Sequence, residues 1–112
     1  MSRRLVFLAL VFAGCATVRD AGAPLFGRAP QTTACELEVR RGPSPDFVEF
    51  GSVLIEGSVF LTPQDVERIA RAEACAAGAD AVLLSSEAYG VPFAGSQATA
   101  TFLKARPVAP PP

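Results

Sequence analysis

"LTPQDVERIARAEACAAGADAVLLSS", residues 61–86, decides the fold. Its hydrophobic period changes halfway along. The first part spaces its apolar residues as one face of a helix; the second is a short unbroken apolar run of strand length. Thr62 carries the hydroxyl of an N-cap. Pro63 suits the first helical position, whose N–H has no intrahelical partner, and Asp65 stands where the acid of a capping box sits. Gly78 supplies the left-handed stop that ends a helix. At about 100° per residue, Val66, Ile69, Ala70, Ala76 and Ala77 share one face, and Gln64, Glu67, Arg68 and Arg71 the other. So much alanine implies close packing of the helix on a sheet. Glu73 falls inside the apolar arc. It is expected at the rim, paired with an arginine, because a lone acid is rarely buried; a buried acid of raised pKa is the alternative. Cys75 falls about 180° from Val66, on the border of the polar face.

Working outward, the run 81–84 fits a central strand buried on both faces. Upstream, "CELEVR" (35–40) alternates strictly, with Cys35, Leu37 and Val39 on one side and Glu36, Glu38 and Arg40 on the other. That is the pattern of a half-buried strand. "RGPSPD" (41–46) is a turn, and "FVEFGSVLIEG" (47–57) a second strand expected antiparallel to the first. Gly51 marks a bulge or a close backbone approach. Downstream, "EAYGVPFAGS" (87–96) has the glycines and proline of a loop, and "QATATFLKA" (97–105) alternates as a last strand, a hairpin partner for the one before it. The order is ββαββ: a small α+β domain, one helix on a short mixed sheet. A parallel strand–helix–strand crossover within it should be right-handed.

The N-terminus has a different character. Arg3 and Arg4 precede an uncharged apolar run, 5–13, that ends in Ala13-Gly14-Cys15. The run is too short for a bilayer, which needs roughly 20 helical residues, and fits the apolar region of a secretion signal. The ending resembles a bacterial lipobox, in which small residues admit the chain to the signal peptidase and the cysteine thiol takes the lipid. Phe12 stands where that pattern usually has an aliphatic residue. The resemblance implies residues 1–14 as a lipoprotein signal and lipidation at Cys15. With Ala16 and not aspartate next, the outer membrane is expected rather than the inner. An ordinary cleaved signal and an uncleaved anchor are the alternatives. Residues 15–32, rich in Ala, Gly and Pro, are expected to be a lipidated N-terminus and flexible tether. The domain proper is expected at 33–106, and 107–112 as a disordered proline-rich tail.

With Cys15 lipidated, Cys35 and Cys75 remain as a pair, and an envelope compartment is oxidising. A Cys35–Cys75 disulfide is therefore expected, of the kind small domains use to supplement a limited core. The other readings of the pair are a redox or metal site. Neither CxxC spacing nor a histidine accompanies it, and no metal is assigned.

The 112 residues carry a net charge of −1 with no long basic stripe, which gives no footing for nucleic acid. The absence of histidine removes the commonest general base and metal ligand. No nucleophile elbow, P-loop or dinucleotide fingerprint occurs. Ser85 and Ser86, at the end of a strand, are structural rather than nucleophilic. No enzyme, catalytic residue or cofactor is expected.

The succession "FGSV", a helix closed by "AAGADAVLL" and a closing "ATATFLKA" resembles small envelope lipoproteins of the Rcs-sensor (RcsF-like) kind, over about residues 35–105. "GADAVLL" also resembles the YbjQ-like family of small proteins. The resemblance implies a stapled α+β domain that acts by contact with envelope proteins. The sensor has two disulfides where this chain has cysteines for one. The expected function is that of a non-enzymatic, membrane-anchored lipoprotein that binds an envelope partner or senses envelope state. Tyr89 and Phe93, aromatics among glycines and a proline, are the candidate contacts; both could instead fold onto the core edge. The alternatives are a small-ligand or metal-binding lipoprotein, with Glu36 and Glu73 near the cysteines, and a structural surface lipoprotein without a specific ligand.

Overall fold

The computed structural model describes residues 16–21, 26–32, 35–43 and 45–107. The signal, Cys15 and the tail beyond residue 107 lie outside the described residues. The elements are β1 (Thr17–Asp20), β2 (Glu38–Arg40), β3 (Phe47–Gly57), α1 (Pro63–Ala76), β4 (Ala81–Val91) and β5 (Gly95–Ala105). They form one helix on a five-stranded mixed sheet of order β1-β3-β5-β4-β2. The α+β architecture and the disulfide are as expected.

The helix forms where its capping signals put it. The Thr62 hydroxyl accepts from the Asp65 N–H at 3.2 Å, and the Asp65 carboxylate accepts from the Thr62 N–H at 3.1 Å. The Thr62 N–H, and after it the Thr62 hydroxyl and Arg68, donate to the Asp65 carboxylate and hold its carboxyl below the ordinary pKa. Gly78 closes the helix at φ 78°. Val66, Ile69, Ala70 and Ala74 pack on Val53 and Ile55 of β3, Val82 and Leu84 of β4, and Ala98 and Ala100 of β5. Small residues on both sides let the helix lie close to the sheet. Ala76 and Ala77, assigned to the apolar face by the helical wheel, are exposed. The helix ends at Ala76, and Ala77 is already its cap; angular position decides burial only while the axis still lies over the sheet.

β3 and β4 are parallel because each pairs antiparallel with β5, which lies between them. The crossover through α1 therefore spans β5. A bulge between Glu49 and Gly51 shifts the β3–β5 register, as the glycine suggested. Alternate residues, Leu54, Leu83, Thr99 and Thr101, are partly exposed on the opposite face. Near its end that face buries Leu103, in a hollow shared with Leu83, Phe47, Pro43 and Pro45.

Three expectations need correction. First, β2 is not the antiparallel partner of β3. It pairs parallel with β4, with Val39 opposite Val82. Alternation shows that a strand is half-buried, not which neighbour it has, and β3 already has β5 on one side and β1 on the other. Second, residues 87–96 are not a loop: β4 continues through irregularities to Val91, and a tight turn leads into β5. Ser86 (φ 51°) and Gly90 (φ 61°) absorb the irregularities. Third, the stretch expected to be a tether is in its described part built into the fold. β1 pairs antiparallel with β3, and Val18 is fully buried in the core. The chain then returns along β1: Val18 and Arg28 exchange two backbone hydrogen bonds, both 2.9 Å. An open β3 edge would leave a row of unpaired backbone groups in water, and this segment covers it.

Candidate interaction surfaces

Cys35 lies just before β2 and Cys75 in the last turn of α1; they form the expected disulfide, with a Cα–Cα distance of 6.2 Å. Both are partly buried, in keeping with the border position of Cys75 on the helix. Beside the bridge is an open groove of about 440 Å³, lined by Gln31, Thr32, Glu36, Arg68 and Arg71 as well as Cys35. Arg68 is paired with Asp65 at 3.0 Å, and the Arg71 Nε donates to the Leu37 carbonyl at 3.3 Å.

Glu73 is paired with an arginine as expected, but it is buried rather than at the rim, with 2% of its side chain exposed. The Arg28 guanidinium donates to both of its oxygens, one bond measuring 2.7 Å, and the Gln31 N–H donates to Oε1 at 3.0 Å. Every polar atom of the carboxylate thus has a partner, and the pairing pushes the Arg28 guanidinium further up. Nothing in the sequence pattern named Arg28 as that partner. It stands in the stretch that composition assigns to a tether.

Tyr89 and Phe93 have different environments. Tyr89 lies in β4, packed against the core edge, and its hydroxyl donates to Glu87 at 2.6 Å. Arg41 donates to both Glu87 oxygens, at 2.9 and 3.1 Å, and to Glu67 of α1 at 2.7 Å. This network joins β4, the end of β2 and the helix. Its electrostatics follow from the geometry. Arg41 holds the Glu87 carboxyl below its ordinary pKa, and the Tyr89 hydroxyl adds to that. Burial, then the bond to Glu87, pushes the Tyr89 phenol up to about 12. Tyr89 is thus half-buried and held in place by its packing and its hydroxyl bond. Phe93 is the opposite case: it sits at the β4–β5 turn with positive φ and a side chain wholly in water.

Phe93 has apolar company that the strand and helix patterns did not single out. Val59 and Phe60, in the β3–α1 connection, are 45% and 83% exposed, and Val91 is 38% exposed. The connection and the turn are fastened together. The Ser96 hydroxyl donates to the Leu61 carbonyl at 3.2 Å and accepts from the Gly90 N–H at 3.0 Å. Gly95 lies so close to Gly57 that a Cβ there would come within 2.3 Å of the Gly57 carbonyl oxygen. The available signal was two apolar residues in a connection where no strand or helix period requires them.

Among the described residues, no three His, Cys, Asp or Glu side chains gather as a metal site, and no helix is long and apolar enough to cross a membrane. Comparison with known proteins finds no matching family model, no similar curated protein and no similar solved structure.

Proposed function

We infer that the chain is a non-enzymatic lipoprotein of the bacterial cell envelope, lipidated at Cys15, whose stapled α+β domain binds an envelope partner or senses envelope state. The outer membrane is the expected site. The observation that carries the reading is the pairing of the cysteines. The chain has three, and the disulfide joins two of them. The third stands at the end of an apolar run too short to span a bilayer, where a lipobox has its cysteine. A structural disulfide in so small a domain suits an oxidising compartment, where the lipid would also place it. Contact with a protein, rather than turnover of a substrate, suits a chain without histidine or a nucleophile motif.

The test is the intact mass of the protein from its native membranes, with thiols alkylated before or after reduction. The expected result is acyl mass on an N-terminal Cys15, with two further alkylations only after reduction. A mature chain without lipid, or with both thiols open to alkylation from the start, overturns the reading. Photo-cross-linking from Arg68, beside the groove, then searches for the partner.

A further inference from the structure

The register places four exposed apolar side chains and the start of β1 at the same end of the sheet. Thr17 pairs with Glu56, Gly57 with Ser96, and Val91 with Gly95. Thr17, the close of β3 and the β4–β5 turn are therefore level with one another. Val59 and Phe60 follow Gly57 by two and three residues and are fastened to the turn through Ser96 and Leu61. Only Ala16 separates Thr17 from Cys15, a reach of about 7 Å at full extension. A lipid on Cys15 would thus leave the chain beside this apolar tip, with no slack to hold the domain away from the bilayer.

The charge pattern points the same way. Residues 57–64 and 88–96, which build the tip, contain no Asp, Glu, Lys or Arg. The opposite end is charged: Asp46, Asp80, Lys104 and Arg106 cluster there, joined by Lys104–Asp80 at 3.7 Å and by the Arg106 N–H to the Asp46 carbonyl at 2.8 Å. The two tip segments can enter the headgroup and acyl boundary without desolvating a charge of their own, with Glu56, Asp65 and Glu87 set just behind them; the opposite end cannot.

We propose that Val59, Phe60, Val91 and Phe93 form a membrane-docking tip that inserts into the surface of the bilayer holding the Cys15 lipid. The inference rests on the lipoprotein reading. It reassigns Phe93 from partner contact to lipid contact and fixes the orientation of the domain. The strands stand on the membrane by their β1-start end, and the disulfide, at the C-terminal end of α1, points away from it. A protein partner then meets the groove beside Arg68 and Arg71, not the tip.

The chain has no tryptophan, so a single introduced one reports alone. Phe93→Trp, Phe60→Trp and, as the control at the opposite end, Phe50→Trp are made in the full lipidated chain. Each is reconstituted in vesicles of phosphatidylethanolamine and phosphatidylglycerol, with or without brominated acyl chains. Phe60 and Phe93 are largely in water, so their replacement leaves the core intact. The expected result is blue-shifted emission at positions 93 and 60, quenched several-fold more by brominated lipid than emission at position 50. Protein that floats with the vesicles while its tip tryptophans keep water-like, unquenched emission overturns the docking and leaves the lipoprotein reading intact. Protein that carries no acyl mass and does not float overturns both. A tip probe that cross-links to a protein in native membranes overturns the docking in favour of a protein contact.

Discussion

The guanidinium of Arg28 holds both carboxylate oxygens of Glu73, a residue 45 positions later in the chain and 2% exposed. This pair ties the N-terminal segment to the helix. It also gives a buried acid its counter-charge.

Removing Arg28 tests how much the tie contributes. Arg28→Ala leaves the Glu73 carboxylate buried with the Gln31 N–H as its remaining donor. A hydrogen bond to a charged group is worth about 1.5–3 kcal/mol, but the Arg28 side chain is 49% exposed, and water screens the pair. The expected loss is about 1–2 kcal/mol in urea unfolding. Arg28→Lys should recover only part of it, because an ammonium cannot make the two-pronged contact.

A chain shortened to begin at residue 33 should be less stable than one beginning at residue 16. The shorter chain loses Val18 from the core, the backbone cover of the β3 edge and the partner of Glu73. Urea midpoints measure the difference. Size-exclusion chromatography should show self-association of the shorter chain through the bared edge.

The disulfide joins positions 40 residues apart. In the chain-entropy model a closure of that length contributes ~4 kcal/mol. Reduction, or the Cys35→Ala/Cys75→Ala pair, should lower the thermal midpoint by a common amount. Reductant should then leave the double variant unchanged.

Tyr89 is the only tyrosine and the chain has no tryptophan, so tyrosinate absorbance reports one group. The phenol should ionise near 12 rather than at the ordinary 10. Because the folded pKa is the higher one, folding favours the neutral phenol. Its contribution is complete below pH 10 and is lost as pH rises from about 10 to about 12. Glu87 has the opposite sign. Its folded pKa is depressed below 4.5, so its contribution is present above that value and lost as pH falls through the folded pKa. Glu87→Gln should bring the tyrosine midpoint down towards 10 and flatten the acid limb.

Gly95→Ala combines a positive φ of 81° with a Cβ 2.3 Å from the Gly57 carbonyl oxygen. It should cost well over about 1 kcal/mol. Gly42→Ala, where a Cβ meets nothing within 4 Å, should stay within about 0.5 kcal/mol of the parent. Chemical denaturation of the two variants side by side makes the comparison.

The helix, the start of β4, β5 and the disulfide were legible in the sequence because each rests on local chemistry: a capping box, a glycine stop, strict alternation and an even pair of thiols. β1 was not legible. It has four residues, of which only Val18 reaches the core, inside a stretch whose alanine, glycine and proline content suits a linker. The neighbour of β2 was hidden for another reason: pairing depends on which edge is left open once the other strands have been placed. In 87–96, glycine and proline suggested a loop where they instead accommodate the irregularities and the turn of a long hairpin. The apolar tip was not legible because its members come from the β3–α1 connection and the end of the β4–β5 hairpin, which only the sheet register brings level. Tyr89 and Phe93 looked alike in sequence and separate in space, one in the core edge and one in water.

The register has a mechanical consequence as well. Thr17 stands opposite Glu56 near one end of β3, and Ala105 opposite Phe47 at the other. A pull between the N-terminal end of β1 and the C-terminal end of β5 therefore runs along the strands, not across them. The β1–β3 and β3–β5 ladders are loaded in shear: their hydrogen bonds share the force and yield together, where a pull across the sheet would unzip them one by one. A domain built this way is stiff along its length, and tension applied at one terminus reaches the other with little stretch between.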